Sequence, residues 1–286
     1  MSLADTLRLL TLGAIWGASF LFMRVAAPVL GAAWVADLRV LIAGIALWLY
    51  ARAIGESTFL RERWVAYSLI GITNSAFPFV MYAFAAMTLP ASSLSVINAT
   101  SPLFGALFAT IWLKERLTVG KWLGCAVGFC GVALLLGGLD LHTDGSGTLP
   151  WAIAAGLPAA ASYGVATIVT RKWAGDATPL AASTGSQLTS AVMLWPLLPF
   201  NPPLAEPTLA VALAVLAMAL LSSSLGYLLY FRLLTNIGPV KTLTVTFLSP
   251  VFGIIWGALV LGERLTFQMA IGAALVLMSI YLVTRR

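Results

Sequence analysis

The segment SPLFGALFATIWLKERLTVGKWLG (101–124) has a counterpart 148 residues later, SPVFGIIWGALVLGERLTFQMAIG (249–272). Ten of the 24 aligned positions are identical, including the S-P pair and the E-R-L-T motif. Shared apolar composition alone does not explain why the S-P pair and the E-R-L-T motif both align at the same offset. We therefore predict two related halves, 1–139 and 149–286, joined by an outer loop over 140–148.

The composition around these segments is that of a membrane protein. Of 286 residues, 60% are hydrophobic and only 9% are charged, with a mean hydropathy of +0.98. Soluble domains carry about 25% charged residues, so a soluble enzyme, a nucleic-acid-binding protein and a disordered linker are excluded. A membrane-spanning helix needs about 20 mostly apolar residues. The ten predicted spans are 7–27, 32–51, 64–88, 91–113, 118–138, 149–171, 178–199, 207–232, 239–261 and 267–284.

Because each half holds five helices, an odd number, the second half is predicted to enter the membrane from the opposite side. We therefore expect an all-α membrane protein of two inverted five-helix repeats around a central cavity, an arrangement typical of secondary transporters. The same offset of 148 pairs Tyr82 with Tyr230, and an offset of 147 pairs Trp16 with Tyr163.

The basic residues predict the orientation, because Lys and Arg concentrate in cytoplasmic loops. Both termini are expected in the cytoplasm, and the outer loop holds the single histidine, His142. Arg24 and Arg39 are expected near the outer ends of helices 1 and 2, and Arg264 in an outer loop. The residues expected on the cytoplasmic side are Arg8, Arg52, Arg61, Arg63, Lys114, Arg116, Lys121, Arg171, Lys172, Arg232, Lys241, Arg285 and Arg286.

Five plus five helices, with E-R-L-T ending the fourth helix of each half, resemble the drug/metabolite transporter superfamily of EamA type. Chain length and aromatic-rich helices most resemble the YddG-type exporters of aromatic and other amino acids. The resemblance implies a basket-shaped bundle in which helices 1, 3, 4, 6, 8 and 9 surround the cavity and helices 5 and 10 are peripheral. We expect a multi-pass protein of the bacterial inner membrane.

Acidic residues are scarce inside the predicted spans. Asp37 is the only one near membrane depth, at the outer start of helix 2. Half-sized members of the superfamily carry a Glu in the first helix, where this chain reads GAIWGASF. Proton antiport through a titrating membrane carboxylate is therefore not predicted. No cofactor or metal is predicted, and Cys125 and Cys130 are interpreted as packing residues.

The other polar residues inside the predicted spans are neutral or aromatic, and they recur at helical spacing. Hydroxyls, amides and ring faces can bind both the carboxylate and the ammonium of a zwitterion. The alternative is that the small polar residues serve helix packing. The predicted substrate-binding residues are Trp16, Ser19, Phe20, Asn74, Tyr82, Ser95, Asn98, Tyr163, Tyr230 and Thr246.

Prolines inside apolar runs favour kinks. Pro78, Pro102 and Pro250 are predicted hinge or gating residues, with static kinks as the alternative. Gly120, Gly124 and Gly128 form a close-packing stripe, either inside the bundle or at a dimer seam; a monomer is expected, with a dimer as the alternative.

The two E-R motifs are predicted at opposite faces of the membrane. Glu115–Arg116 and Glu263–Arg264 are either a gate or anchor at each face, or interfacial ion pairs followed by a threonine cap.

These observations predict a secondary transporter that exports amino acids, aromatic and other neutral ones, by alternating access. A multidrug or quaternary-cation exporter is the main alternative. A channel is not excluded by the repeat, and a membrane enzyme lacks a catalytic cluster.

Overall fold

The computed structural model describes residues 1–112, 114, 118–137 and 148–284. Those residues form helices and turns, with no β-strand among them. Ten helical segments follow in chain order, each including the irregular turns that continue it. They are α1 Leu3–Leu30, α2 Ala32–Ala53, α3 Trp64–Ala86, α4 Ala91–Trp112, α5 Val119–Gly137, α6 Leu149–Trp173, α7 Pro179–Leu194, α8 Leu209–Gly238, α9 Val245–Leu261 and α10 Phe267–Thr284.

Seven of the described segments, α1–α6 and α8, are long and apolar enough to cross a membrane. The segments α9 and α10 are apolar but shorter. α7 has 16 residues and continues as a 3₁₀ turn, Trp195–Phe200, which contains two prolines. An all-helical, multi-pass membrane protein is therefore confirmed, and seven of the ten predicted spans have full length.

One predicted boundary is wrong. α8 extends to Gly238, where φ is +79°, and α9 begins at Val245 rather than at 239. A left-handed backbone conformation is readily adopted by glycine and ends a helix. The polar residues Arg232, Thr235 and Asn236 precede this turn, so hydropathy ended the predicted span at 232 although the helix continues to Gly238.

At one end of the bundle, the start of α1 meets the end of α8, and the α2–α3 connection meets the α6–α7 connection. Asn236 Nδ2 donates to Asp5 Oδ1 at 2.9 Å. Arg63 donates to the carbonyl of Ala174 at 3.0 Å and forms an ion pair with Asp176. The guanidinium of Arg63 holds the pKa of the exposed Asp176 below its usual value.

Further described connections meet at the opposite end. The backbone N–H of Leu204, after α7, donates to the carbonyl of Val29 in α1 at 2.8 Å. The hydroxyls of Thr88 and Thr148 are 3.1 Å apart, which joins the α3–α4 connection to the start of α6. Alternate connections thus gather at the two ends, as expected for helices that run up and down.

Two glycine crossings bring helices of different halves into close contact. A Cβ at Gly17 in α1 would lie 2.7 Å from the backbone N of Gly253 in α9. A Cβ at Gly164 in α6 would lie 2.8 Å from the backbone N of Gly105 in α4. The offsets of 147 and 148 residues pair Gly17 with Gly164 and Gly105 with Gly253. The two crossings are therefore equivalent in the repeat.

The helices α5 and α10 pack on each other through small residues. A Cβ at Gly128 would lie 2.6 Å from Ser279 Oγ, and one at Gly124 would lie 2.7 Å from a methyl group of Val283. Among the described residues, no atom lies closer than 3.9 Å to a Cβ at Gly120. The stripe thus packs inside the bundle at Gly124 and Gly128, as the first of the two interpretations predicts.

Three predictions fall on parts of the chain outside the described residues. They concern Glu115–Arg116, the greater part of the connecting loop (140–147) and His142 within it.

Candidate substrate-binding site

Aromatic side chains from both halves meet between α1, α3, α6 and α8. Two groups of ring contacts are joined by α1, because Trp16 and Phe20 are four residues apart and lie on the same helix face. We refer to both groups together as the aromatic cluster. Its members are Trp16, Phe20, Tyr82, Tyr163, Tyr227, Tyr230 and Phe231.

The first group is centred on Tyr82, which is 1% exposed. Its ring contacts Phe20 edge-on at 5.5 Å between centroids and stacks with Tyr163 at 6.3 Å. The Tyr82 hydroxyl is buried without a hydrogen-bond partner in the described residues. A buried phenol without a partner is costly, so this hydroxyl is available to a polar ligand.

The second group is centred on Trp16. Its indole Nε1 donates to the carbonyl of Ser222 at 3.1 Å, and its ring lies 5.6 Å from that of Tyr230. The repeat relates the pair Trp16–Tyr230 to the pair Tyr163–Tyr82. Equivalent aromatic contacts therefore occur on both sides of the interface between the halves.

π-Helical turns interrupt α3 and α8 beside this cluster. They span Ile72–Ala76 and Met218–Leu225, and the offset of 148 residues superposes them. Asn74, in the first turn, donates to the hydroxyl of Tyr227 at 3.3 Å. π-Turns inside α-helices occur frequently at functional sites, and these two widen the backbone where the halves meet.

Four of the predicted substrate-binding residues are not members of the aromatic cluster. Ser95 is buried and donates to the carbonyl of Ser92 in its own helix. Its side chain also packs against Gly253 at the α4–α9 contact. Thr246, which is half-buried, donates to the carbonyl of Leu243, just before the start of α9. The other two, Ser19 and Asn98, are buried and half-buried respectively, and neither side chain forms a hydrogen bond with a member of the cluster among the described residues.

The three predicted hinge prolines have different surroundings. Pro78 directly follows the π-turn of α3. At Pro102 the helix α4 is interrupted after Asn98, whose carbonyl accepts a hydrogen bond from Ser101 Oγ at 2.6 Å. Pro250 lies inside the continuous helix α9. Two of the three positions therefore coincide with a helix irregularity.

Arg39 was missed as a site residue. Positive-charge counting placed it near the outer end of helix 2, but the side chain is 7% exposed and packs among α3 and α8. The guanidinium carbon lies 3.8 Å from the ring centroid of Phe79. A charged residue in an otherwise apolar stretch was the available signal, since such residues at membrane depth are usually functional.

Glu263 has a different role from an ion pair with Arg264. Its carboxylate accepts from the backbone N–H groups of Ala91 at 2.6 Å and of Ser92 at 3.0 Å, which caps the start of α4. No ion pair joins Glu263 to Arg264 among the described residues, so that interpretation is wrong. The threonine cap is confirmed, because Met269 N donates to Thr266 Oγ1.

Loss of this cap has a measurable consequence. Glu263→Ala is expected to lower the free energy of unfolding by about 1 kcal/mol, the typical value of a helix N-cap. Arg264→Ala is the matched control, since Arg264 is exposed. Thermal unfolding in detergent measures both. Equal losses in the two variants would restore the ion-pair interpretation.

Two cavities lie beside the cluster rather than within it. One, of about 340 Å³, lies between the π-turn of α3 and α6, lined in part by Thr73 and Ser162. The other, of about 330 Å³, is lined by Arg24 and Glu263 among others. Neither lining includes a member of the aromatic cluster.

A metal centre finds no support in the described residues. They contain no group of three His, Cys, Asp or Glu side chains that could hold an ion. Cys125 is buried and Cys130 exposed, and both are free thiols.

Comparison with curated proteins finds transporters of similar length. The chain is 26% identical to the uncharacterized transporter YvbV of Bacillus subtilis, over 95% of this chain and 88% of that one. It is 25% identical to a probable terminal-alkyne amino-acid exporter of Streptantibioticus cattleyicolor, over 95% and 90%. It is also 25% identical to the uncharacterized inner membrane transporter YedA of Escherichia coli, over 94% and 87%.

A solved crystal structure has the same fold, with a TM-score of 0.69 at 20% sequence identity, over 99% of this chain and 96% of that one. The sequence profile of the EamA-like transporter family matches twice, at residues 6–137 and 150–285. The two matches together span nearly the whole chain, one in each half. The protein therefore belongs to the EamA-like transporter family.

Proposed function

We propose that this transporter exports amino acids, aromatic and other neutral ones, from the cytoplasm by alternating access. The observation that carries the proposal is the aromatic cluster, which joins helices of both halves through equivalent contacts, Trp16–Tyr230 and Tyr82–Tyr163. Aromatic faces bind apolar side chains and ammonium groups. A site shared by two halves changes shape when one half moves against the other.

We also propose that the two halves are inverted relative to each other, which would permit alternating access. Connections gather alternately at the two ends, as at Asp5–Asn236 and Val29–Leu204, and each half has five helices. The crossings at Gly17 and Gly164 are exchanged by the repeat. Two nearly equivalent half-structures can exchange conformations and expose one site to either side in turn.

The expected orientation places both termini in the cytoplasm of a bacterial cell, with the protein in the inner membrane. The end of the bundle that contains Arg63 and Asn236 also carries the basic residues Arg171 and Lys172, at the end of α6. A concentration of Lys and Arg in connections marks the cytoplasmic side.

Two observations support amino acids as the substrate class: the name of a similar protein and the buried charge of Arg39. A similar protein is named as a probable amino-acid exporter. The buried guanidinium of Arg39 repels organic cations, which disfavours the alternative of quaternary-cation export. We assign no proton-coupling role to Asp37, the sixth residue of α2, although it is 5% exposed and its Oδ1 has no hydrogen-bond partner among the described residues.

The test is uptake into proteoliposomes that contain the purified protein. Labelled tryptophan and other neutral amino acids should move down their gradient, saturably and without a proton gradient. Movement of lipophilic cations alone, and only with a proton gradient, would favour the multidrug alternative. Flux that does not saturate would indicate a channel.

A further inference from the structure

Arg39 lies well inside the membrane-spanning part of the chain. It is the eighth residue of α2, a helix of 22 residues. At 1.5 Å per residue the helix is about 33 Å long, and Arg39 lies about 10 Å from its start. A charged side chain at that depth costs several kcal/mol unless it is compensated, and such residues mark substrate pathways.

The partners of Arg39 are neutral. Nε donates to Ser223 Oγ, in the π-turn of α8, at 2.9 Å, and the guanidinium stacks over Phe79 of α3. Tyr163 and Tyr227, both in the aromatic cluster, lie close enough to interact with it electrostatically. The ion pairs of the described residues are formed by other side chains, Arg8–Asp5 and Arg63–Asp176.

The fold itself does not require a cation at this place. The offsets of 147 and 148 residues pair Arg39 with Ser186 and Gln187, which are both neutral and buried. The second half therefore packs its equivalent helix, α7, without a charge. Burying a cation without an anionic partner is unfavourable for stability, so a role other than packing accounts for the charge in α2.

We propose that Arg39 binds the carboxylate group of the transported solute, an inference that rests on the proposed export of amino acids. A guanidinium has five N–H donors in a planar fork that matches a carboxylate. The bond from Nε to Ser223 and the ring of Phe79 fix the plane of the fork, which leaves the terminal nitrogens for the ligand. The neighbouring rings of Tyr163 and Tyr227 then contact the remainder of the solute.

The experiment compares indole ligands with and without a carboxylate. Tryptophan, tryptophanamide, tryptamine and indole-3-acetate are tested against wild type, Arg39→Gln, Arg39→Lys and Arg52→Gln. Arg52 is the matched control, because it is an exposed arginine at the end of the same helix. Ligand-induced thermal stabilisation in detergent is measured beside uptake, so that binding is recorded for variants that do not transport.

Wild type and Arg52→Gln should bind tryptophan at least tenfold more tightly than its amide. Arg39→Gln should lose that preference while remaining folded, and Arg39→Lys should retain part of it. A purely structural role would weaken binding of acid and amide alike. Tryptophan uptake with an unchanged preference in Arg39→Gln would overturn the inference and leave the proposed function standing.

A failure of the proposed function is distinguishable from a failure of the Arg39 inference. If indole-3-acetate binds in an Arg39-dependent manner but no amino acid binds or moves, the carboxylate site stands and amino-acid export is overturned. If no carboxylate stabilises or crosses with the wild-type protein, both are overturned.

Discussion

Gly164→Ala is expected to destabilise the protein by about 1–3 kcal/mol, the usual cost of overpacking a tight contact. The new methyl group would lie 2.8 Å from Gly105 N and 2.9 Å from the carbonyl carbon of Phe104. Both atoms belong to the backbone of α4, so no side chain can rotate to relieve the contact. The helices α4 and α6 must move apart, and the interface between the halves opens with them.

Gly156→Ala is the matched control in the same helix, because a Cβ there meets only the side chain of Ile97, at 3.5 Å. This variant should be as stable as wild type or slightly more stable, since alanine favours helix. Thermal unfolding in detergent measures both. The same stability for Gly164→Ala and Gly156→Ala would contradict the close α4–α6 crossing.

Trp16→Ala is expected to reduce amino-acid uptake at least tenfold. The indole connects α1 to α8 through its hydrogen bond to Ser222 and its contact with Tyr230. Its Nε1 also lies 2.7 Å from the position of a Cβ at Gly226, so this glycine admits the ring. Removing the ring takes away part of the proposed binding surface. Trp16→Phe keeps a ring but lacks the hydrogen-bond donor, so its uptake should lie between that of Trp16→Ala and that of wild type.

Trp256 provides a matched control. Its indole Nε1 also donates to a backbone carbonyl of α1, that of Ala14, at 3.0 Å, but its ring packs on Phe252 and not on the cluster. Trp256→Ala should lower stability without changing the substrate concentration that half-saturates uptake. Equal uptake by Trp16→Ala and wild type would remove Trp16 from the site.

The sequence predicted the helices because twenty apolar residues in a row have few alternatives in a membrane protein. It also selected Trp16, Phe20, Tyr82, Tyr163 and Tyr230 as substrate-binding residues, and the structure brings their rings together between the halves; their role in binding stays a prediction. Boundaries were less certain, because the helix α8 continues through polar residues such as Arg232 and Asn236 up to the turn at Gly238.

The remaining features depend on neighbours that hydropathy does not reveal. Counting positive charges treats every arginine as a determinant of topology, so it could not separate the buried Arg39 from the exposed Arg52. The π-turns have no residue signature that distinguishes them from ordinary helix. The cap that Glu263 provides for α4 joins residues more than 170 positions apart and needed the fold to be seen.

The most direct test of alternating access at one shared site is exchange. Proteoliposomes loaded with unlabelled tryptophan are placed in labelled tryptophan at equal concentration. The entry of label is compared with its entry into proteoliposomes that contain no tryptophan. The account predicts that internal tryptophan accelerates entry, because a loaded site returns faster than an empty one. Entry that is independent of internal tryptophan and does not saturate would contradict it.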